Sequence, residues 1–106
     1  KSFMIISGGV NIYPQMIEDA LCLHPKVADV AVIGVPNPDF GEEVKAIIQT
    51  ADGILHDETT KEELMAFSRE RLAPYMVPRS IDFREELPRL PTGKLYKKQL
   101  MAEFWS

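Results

Sequence analysis

Phe3 to Ile6 is an apolar, partly β-branched run, Gly8-Gly9 interrupts it, and Val10-Asn11-Ile12-Tyr13 alternates apolar with polar. That pattern predicts a β-hairpin over residues 3 to 13. Pro14 then opens a helix, because a first helical turn does not need the N–H that proline lacks. Met16, Ile17, Ala20 and Leu21 fall on one face at helical spacing, which makes it a core helix, and Glu18 and Asp19 near its start suit the helix dipole. His24-Pro25 ends it, with His24 read as a structural or exposed residue. Val27 to Val35 is almost continuously apolar, the signature of a strand buried on both faces. A turn at Pro36-Asn37-Pro38-Asp39 leads to a second strand, Val44 to Gln49, expected to pair antiparallel with the first.

After a loop over 51 to 58, Thr60-Lys61-Glu62-Glu63 has the spacing of a capping box with Thr60 as N-cap. Leu64, Phe67 and Leu72 trace the buried face of a helix ending before Ala73-Pro74, with Arg69, Glu70 and Arg71 solvated. Pro74 to Pro78 reads as an extended linker. In Arg79 to Glu85, Ile81 and Phe83 alternate with Ser80, Asp82 and Arg84, so a third strand should join the same sheet. Leu95 to Phe104, with Leu100, Met101 and Phe104 on one face, predicts a last helix. The order hairpin, helix, strand, strand, helix, strand, helix belongs to the α+β class: a small sheet of about three main strands packed with helices, plus an N-terminal β-hairpin.

Composition narrows the picture. A chain of 106 residues, 45% hydrophobic and 26% charged, suits a single domain over residues 1–106 with one modest core. No apolar run is long enough to span a bilayer, and nothing resembles a signal peptide. One cysteine, Cys22, allows no internal disulfide, and with two separated histidines it forms no metal-ligand pattern; a reducing, cytoplasmic location is expected. A net charge of −4 argues against nucleic-acid binding. Yet Arg84, Arg89, Lys94, Lys97 and Lys98 all lie in the last quarter, where an anionic ligand would be welcome. The chain starts at Lys1 without an initiator methionine, so it is expected to be a piece of something longer.

The candidate chemistry centres on Pro88-Arg89-Leu90-Pro91-Thr92-Gly93-Lys94. Pro88 and Pro91 remove two amide donors and Gly93 permits unusual backbone conformations, so the segment is a loop. Lys94 then falls at the junction of a loop and the predicted helix start, where the dipole offers a cation nothing. It is either a solvated turn lysine or a cation delivered to a substrate phosphate. Pro88-x4-Gly93-Lys94 resembles the final core motif of the adenylate-forming enzymes, the superfamily of acyl-CoA synthetases, luciferases and peptide-synthetase adenylation domains. Met4-Ile5-Ile6-Ser7-Gly8-Gly9-Val10-Asn11-Ile12-Tyr13-Pro14 resembles the opening motif of that family's C-terminal domain. Gly34-Val35-Pro36-x-Pro38-x-Phe40-Gly41-Glu42 and Ala73-x-Tyr75-x-x-Pro78-Arg79 are similar to further family segments, so the resemblance runs from Lys1 to about Leu100.

The resemblance implies the mobile C-terminal lid domain of a longer ligase. That ligase would activate a carboxylic acid, fatty or aromatic, as an acyl-adenylate with ATP and pass it to CoA. Magnesium and most ATP contacts would belong to the absent N-terminal domain, the partner against which the lid swings, and the lid alone would be inactive or nearly so. By the same resemblance Lys94 is the catalytic cation, Gly8 and Gly9 line the tunnel for the pantetheine arm, and Phe40, Tyr75 and Arg79 are CoA-contact candidates. The glycines serve equally as a tight turn, and Phe40 equally as a loop aromatic capping the sheet. The hinge falls near Ser2, where the family commonly has Asp or Lys. An accessible Lys94 is also a target for a lysine acyltransferase and a deacylase, since acylation removes its charge. The alternatives are a carrier-protein thiol as acceptor, or a non-catalytic α+β binding module.

Overall fold

Gly8 and Gly9 both have positive φ, 57° and 84°, the pattern demanded by a two-residue hairpin turn whose twist matches its strands. They join β1 (Ile5–Ser7) to β2 (Val10–Ile12) in the predicted hairpin. The computed structural model describes residues 3–106. Ser2, the expected hinge position, lies outside the described residues.

β3 (Val27–Asn37) and β4 (Gly41–Thr50) form a long antiparallel ribbon, and β5 (Ser80–Arg84) pairs parallel with β4 from Lys45 to Gln49. β1 meets the start of β4 at Ser7 opposite Gly41. β1 and β5 therefore share one edge of β4 while β3 takes the other. The hairpin is thus part of one five-stranded sheet rather than an addition to a three-stranded one.

β3 is buried on both faces, as its apolar run predicts. Val30 and Val32 enter a core layer with Ile17 and Leu21 of α1 (Pro14–Leu21) and Leu64 of α2 (Glu58–Arg71). Ala31, Ile33 and Val35 enter the opposite layer with Leu87 and with Leu100 of α3 (Lys97–Ala102). A full burial such as that of Leu64 or Leu100 stabilises by about 1.5–3 kcal/mol. The alternation is broken once. Val27 faces Thr50 and Asp29 faces Gln49, so Ala28 is an extra residue and a β-bulge separates them. The bulge lets Val27 join the first layer while Asp29 stays in phase with Ala31 and Ile33.

Several local expectations are corrected. The buried stripe of α1 is Pro14, Ile17, Glu18 and Leu21, whereas Met16 is 57% exposed. A stripe at i, i+3, i+4, i+7 starts at the proline, and Glu18 lies beyond the first turn, where the dipole argument does not reach. α2 begins one turn earlier than the capping box suggested: Asp57 is the N-cap, its carboxylate accepting the Thr60 N–H at 2.9 Å, and Thr60 is buried inside the helix. Pro74–Met76 is a 3-10 turn rather than an extended linker, with Met76 buried. α3 starts at Lys97 rather than Leu95, because Leu95 bridges to Arg89 and the Tyr96 N–H is donated to the Pro88 carbonyl.

β3 forms the outer edge of the sheet, and its outward main-chain groups are met by side chains. The Val32 N–H donates to Glu18 Oε2 at 2.9 Å, and the Val32 carbonyl accepts from Lys97 Nζ at 3.1 Å. The Gly34 carbonyl accepts from Trp105 Nε1 at 2.9 Å.

Candidate functional site

At the hairpin end of the sheet a cavity of about 280 Å³ brings together Gly8, Phe40, Tyr75 and Arg79, with Val44 and Val77 in its wall. Local chemistry builds it. Asn37 Oδ1 accepts the N–H groups of Asp39 and Phe40 at 2.8 and 2.7 Å, which folds the β3–β4 turn. The Gly8 N–H donates to the Phe40 carbonyl at 2.9 Å, which ties that turn to the hairpin. A Cβ on Gly8 would lie 3.2 Å from Phe40 Cδ1, so the absence of a side chain lets the ring lie against the backbone. The 3-10 turn buries Met76 and leaves Tyr75 exposed at the rim. The Arg79 N–H is held by the Val44 carbonyl at 2.8 Å, and its guanidinium sits 6.0 Å from the centre of the Phe40 ring. Gly9 completes the turn but lies outside the cavity lining. A mostly apolar groove with one cation at its mouth suits an extended chain carrying an anionic end.

Lys94 lies elsewhere. The Gly93 N–H donates to the Leu90 carbonyl and the Leu90 N–H to the Lys94 carbonyl, both at 2.8 Å, and Gly93 has φ of 92°. Residues 89 to 95 are therefore a tight hairpin, and Lys94 is exposed just past its tip, three residues short of α3 rather than at the helix start. Among the described residues, no carboxylate lies within 4.0 Å of the Lys94 ammonium. Its basic neighbours are largely neutralised: Arg84 pairs with Glu103, Arg89 with Asp29, and Lys97 with Glu18 at 2.6 Å. The basic C-terminal stretch thus resolves into Lys94 and Lys98.

Asp29, which Arg89 grips, lies just inside one end of the β3–β4 ribbon, and Asn37, which shapes the Phe40 turn, is the other end. Eight extended steps at about 3.3 Å each separate them by roughly 26 Å. The glycine cavity and the Lys94 hairpin therefore lie at opposite ends of one rigid sheet.

Sequence reasoning missed the buried Glu18–Lys97 pair. Its one visible signal was the place of Glu18 in the apolar stripe of α1. His24 is structural: its Nδ1 accepts the Lys26 N–H at 3.0 Å, which leaves Nε2 to donate to Glu63 at 3.1 Å. The Lys26 ammonium, bonded to Glu63 at 2.6 Å, holds that carboxyl below its usual range. Burial, with the charges of Asp29, Glu18 and Asp19, raises the Cys22 thiol and makes it a poor nucleophile. Among the described residues no three His, Cys, Asp or Glu side chains gather to hold a metal ion, and no helix is long and apolar enough to cross a membrane.

The AMP-binding enzyme C-terminal domain family matches residues 16–94. A long-chain-fatty-acid–CoA ligase of Bacillus subtilis (strain 168) is 45% identical over 103 residues, covering 97% of this chain and 18% of the ligase. A feruloyl-CoA synthase of Amycolatopsis is 46% identical over 101 residues, covering 95% of this chain and 20% of the synthase. The ATP-bound RpMatB-BxBclM chimera B1 superposes with a TM-score of 0.93 at 38% identity, covering 97% of this chain and 20% of the chimera. The chain thus spans about a fifth of the length of these relatives. With the family model matched over residues 16–94 and the fold matched throughout, the chain belongs to the AMP-binding enzyme C-terminal domain family of acyl-CoA synthetases and ligases.

Proposed function

We propose that this chain is the lid of an ATP-dependent acyl-CoA synthetase that first joins a carboxylate to AMP and then transfers the acyl group to the thiol of CoA. The observation that carries the reading is the placement of an un-neutralised, exposed lysine and a glycine-floored groove at opposite ends of one sheet. In adenylation the carboxylate oxygen attacks the α-phosphorus and pyrophosphate leaves. Charge builds on the phosphate oxygens, where a positioned cation stabilises the transition state. Lys94 is that cation, its compact ammonium and flexible stem suited to delivery by a moving domain. In the second half-reaction the groove of Gly8, Phe40 and Tyr75 guides the pantetheine arm, with Arg79 facing its phosphate-bearing end. A lid that rotates between the two steps presents each end in turn.

By the family resemblance, Mg²⁺ and most ATP contacts are assigned to the large N-terminal domain. The acid is fatty or aromatic, as the names of the similar ligases suggest. Exposed Lys94 is open to reversible acylation, which would silence the first step; mass spectrometry that never finds it modified in cells would remove that regulation.

The test is carboxylate-dependent exchange of labelled pyrophosphate into ATP in the full-length ligase, over fatty and aromatic acids. Lys94→Ala should lower exchange by about 10²–10³-fold, while preformed acyl-adenylate still reacts with CoA within a few-fold of wild type. Equal loss of both half-reactions would overturn the role of Lys94. Absence of exchange with every acid in the folded wild type would overturn the ligase itself.

A further inference from the structure

Lys94 has no side-chain partner among the described residues, yet its hairpin is fixed to the sheet through Arg89. One guanidinium nitrogen of Arg89 donates to Asp29 Oδ2 on β3, and the other donates at 2.6 Å to the Gly93 carbonyl, the peptide oxygen immediately before Lys94. Asp29 is itself aimed. Its Oδ1 accepts the Val30 N–H at 2.9 Å, and strand alternation in phase with Ala31 and Ile33 places it on the α3 side of the sheet. A chain of directed bonds therefore runs from the β3 backbone through Asp29 and Arg89 to the peptide that carries Lys94.

We propose that Arg89, oriented by Asp29, is a positioning residue for adenylation: it holds the Gly93–Lys94 peptide in register with the sheet, so that lid rotation delivers the ammonium to a fixed point. The inference rests on the reading of Lys94 as the adenylation cation. Without the clamp, the hairpin keeps its own turn bonds and the packing of Leu95 on the core, while the Gly93–Lys94 peptide loses its tie to β3 and Lys94 samples a wider volume around its target. Small misplacements of a reacting group cost large factors in rate. Only a planar fork reaches both acceptors in one geometry, so lysine at position 89 is a poor substitute. The clamp lies far from the glycine groove, so it has no part in the thioester step.

The experiment uses the full-length ligase and measures three quantities: pyrophosphate exchange, thioester formation from preformed acyl-adenylate, and thermal midpoint. Arg89→Ala should lower the maximal exchange rate by about 10- to 100-fold with little change in KM for ATP, leaving thioester formation within twofold. Arg89→Lys should recover a minor part, and Asp29→Asn should give a smaller loss. The exchanged pair Asp29→Arg with Arg89→Asp restores opposite charges but has no donor for the Gly93 carbonyl, so exchange should stay low even where the thermal midpoint recovers. Full recovery of exchange in that pair would overturn the route through Gly93. Arg89→Ala with normal exchange, or with both half-reactions equally reduced, would overturn the positioning role. Lys94→Ala, run alongside, separates the failures: normal exchange there sinks the reading of Lys94 itself, whereas collapsed exchange there with intact Arg89→Ala sinks only the clamp.

Discussion

Adjacent glycines in one turn have different duties. Gly8 and Gly9 both sit at positive φ, so alanine at either position costs about 1–2 kcal/mol of backbone strain. Only Gly8 faces Phe40, and a Cβ at Gly9 meets nothing within 4 Å. Gly8→Ala and Gly9→Ala should therefore lose similar stability in urea, while Gly8→Ala slows thioester formation several-fold more. Similar thioester rates in both variants would separate the cavity from the pantetheine path. A second residue-scale outcome concerns Lys97, 8% exposed and held by Glu18 and the Val32 carbonyl. Lys97→Ala strands a buried carboxylate and should cost about 3–5 kcal/mol, read from the urea midpoint; a loss below 1 kcal/mol would mean that water replaces the ammonium. The exposed place of Lys94 beside a turn was legible in the sequence, because Pro91 and Gly93 mark that turn locally. Lys97 was not, because only the fold reveals that its partner is in α1, and charge alone made the two lysines look alike.

Apart from the 3-10 turn at Pro74–Met76, the sequence concealed the boundaries of elements rather than their existence. Asp57 and Thr60 are both good N-caps three residues apart, and the fold chose the carboxylate. The choice has a pH signature. Thr60 N–H donation holds the Asp57 carboxyl below its ordinary value, and the Lys26 bond does the same for Glu63. A group whose folded pKa is depressed adds stability above its unfolded value, and that contribution is lost as pH falls through the folded one. The stability advantage of wild type over Asp57→Ala should therefore be full at pH 7 and shrink steadily below about pH 4, measured by urea unfolding at each pH. An advantage independent of pH would assign the cap to geometry rather than charge. The late start of α3 has the same kind of cause: Leu95 and Tyr96 have helical apolar spacing, but their main chain is bonded to the Lys94 hairpin, and tertiary demand overrode propensity.

For the molecule as a whole, the long apolar strand, the antiparallel ribbon and the α+β class were all readable from periodicity. The parallel pairing of β5 and the entry of the hairpin into the same sheet were not, since strand partners far apart in sequence leave no local mark. That one rigid sheet separates Lys94 from the glycine groove yields a further outcome. A reversible cross-link holding the lid with Lys94 at the ATP site should preserve adenylation and abolish thioester formation until it is reduced; a locked enzyme completing both steps would remove the need for rotation. The guarded edge of β3 also governs where this chain tolerates shortening. A version ending before Lys97 loses the ammonium and the indole that occupy the Val32 and Gly34 carbonyls, and it bares these two main-chain acceptors on an apolar edge strand. Such an edge recruits the same strand from a neighbouring copy, so the shortened chain should self-associate and precipitate on expression. In the intact chain the one tryptophan lies on that edge, and its fluorescence is a built-in gauge of whether the edge is closed.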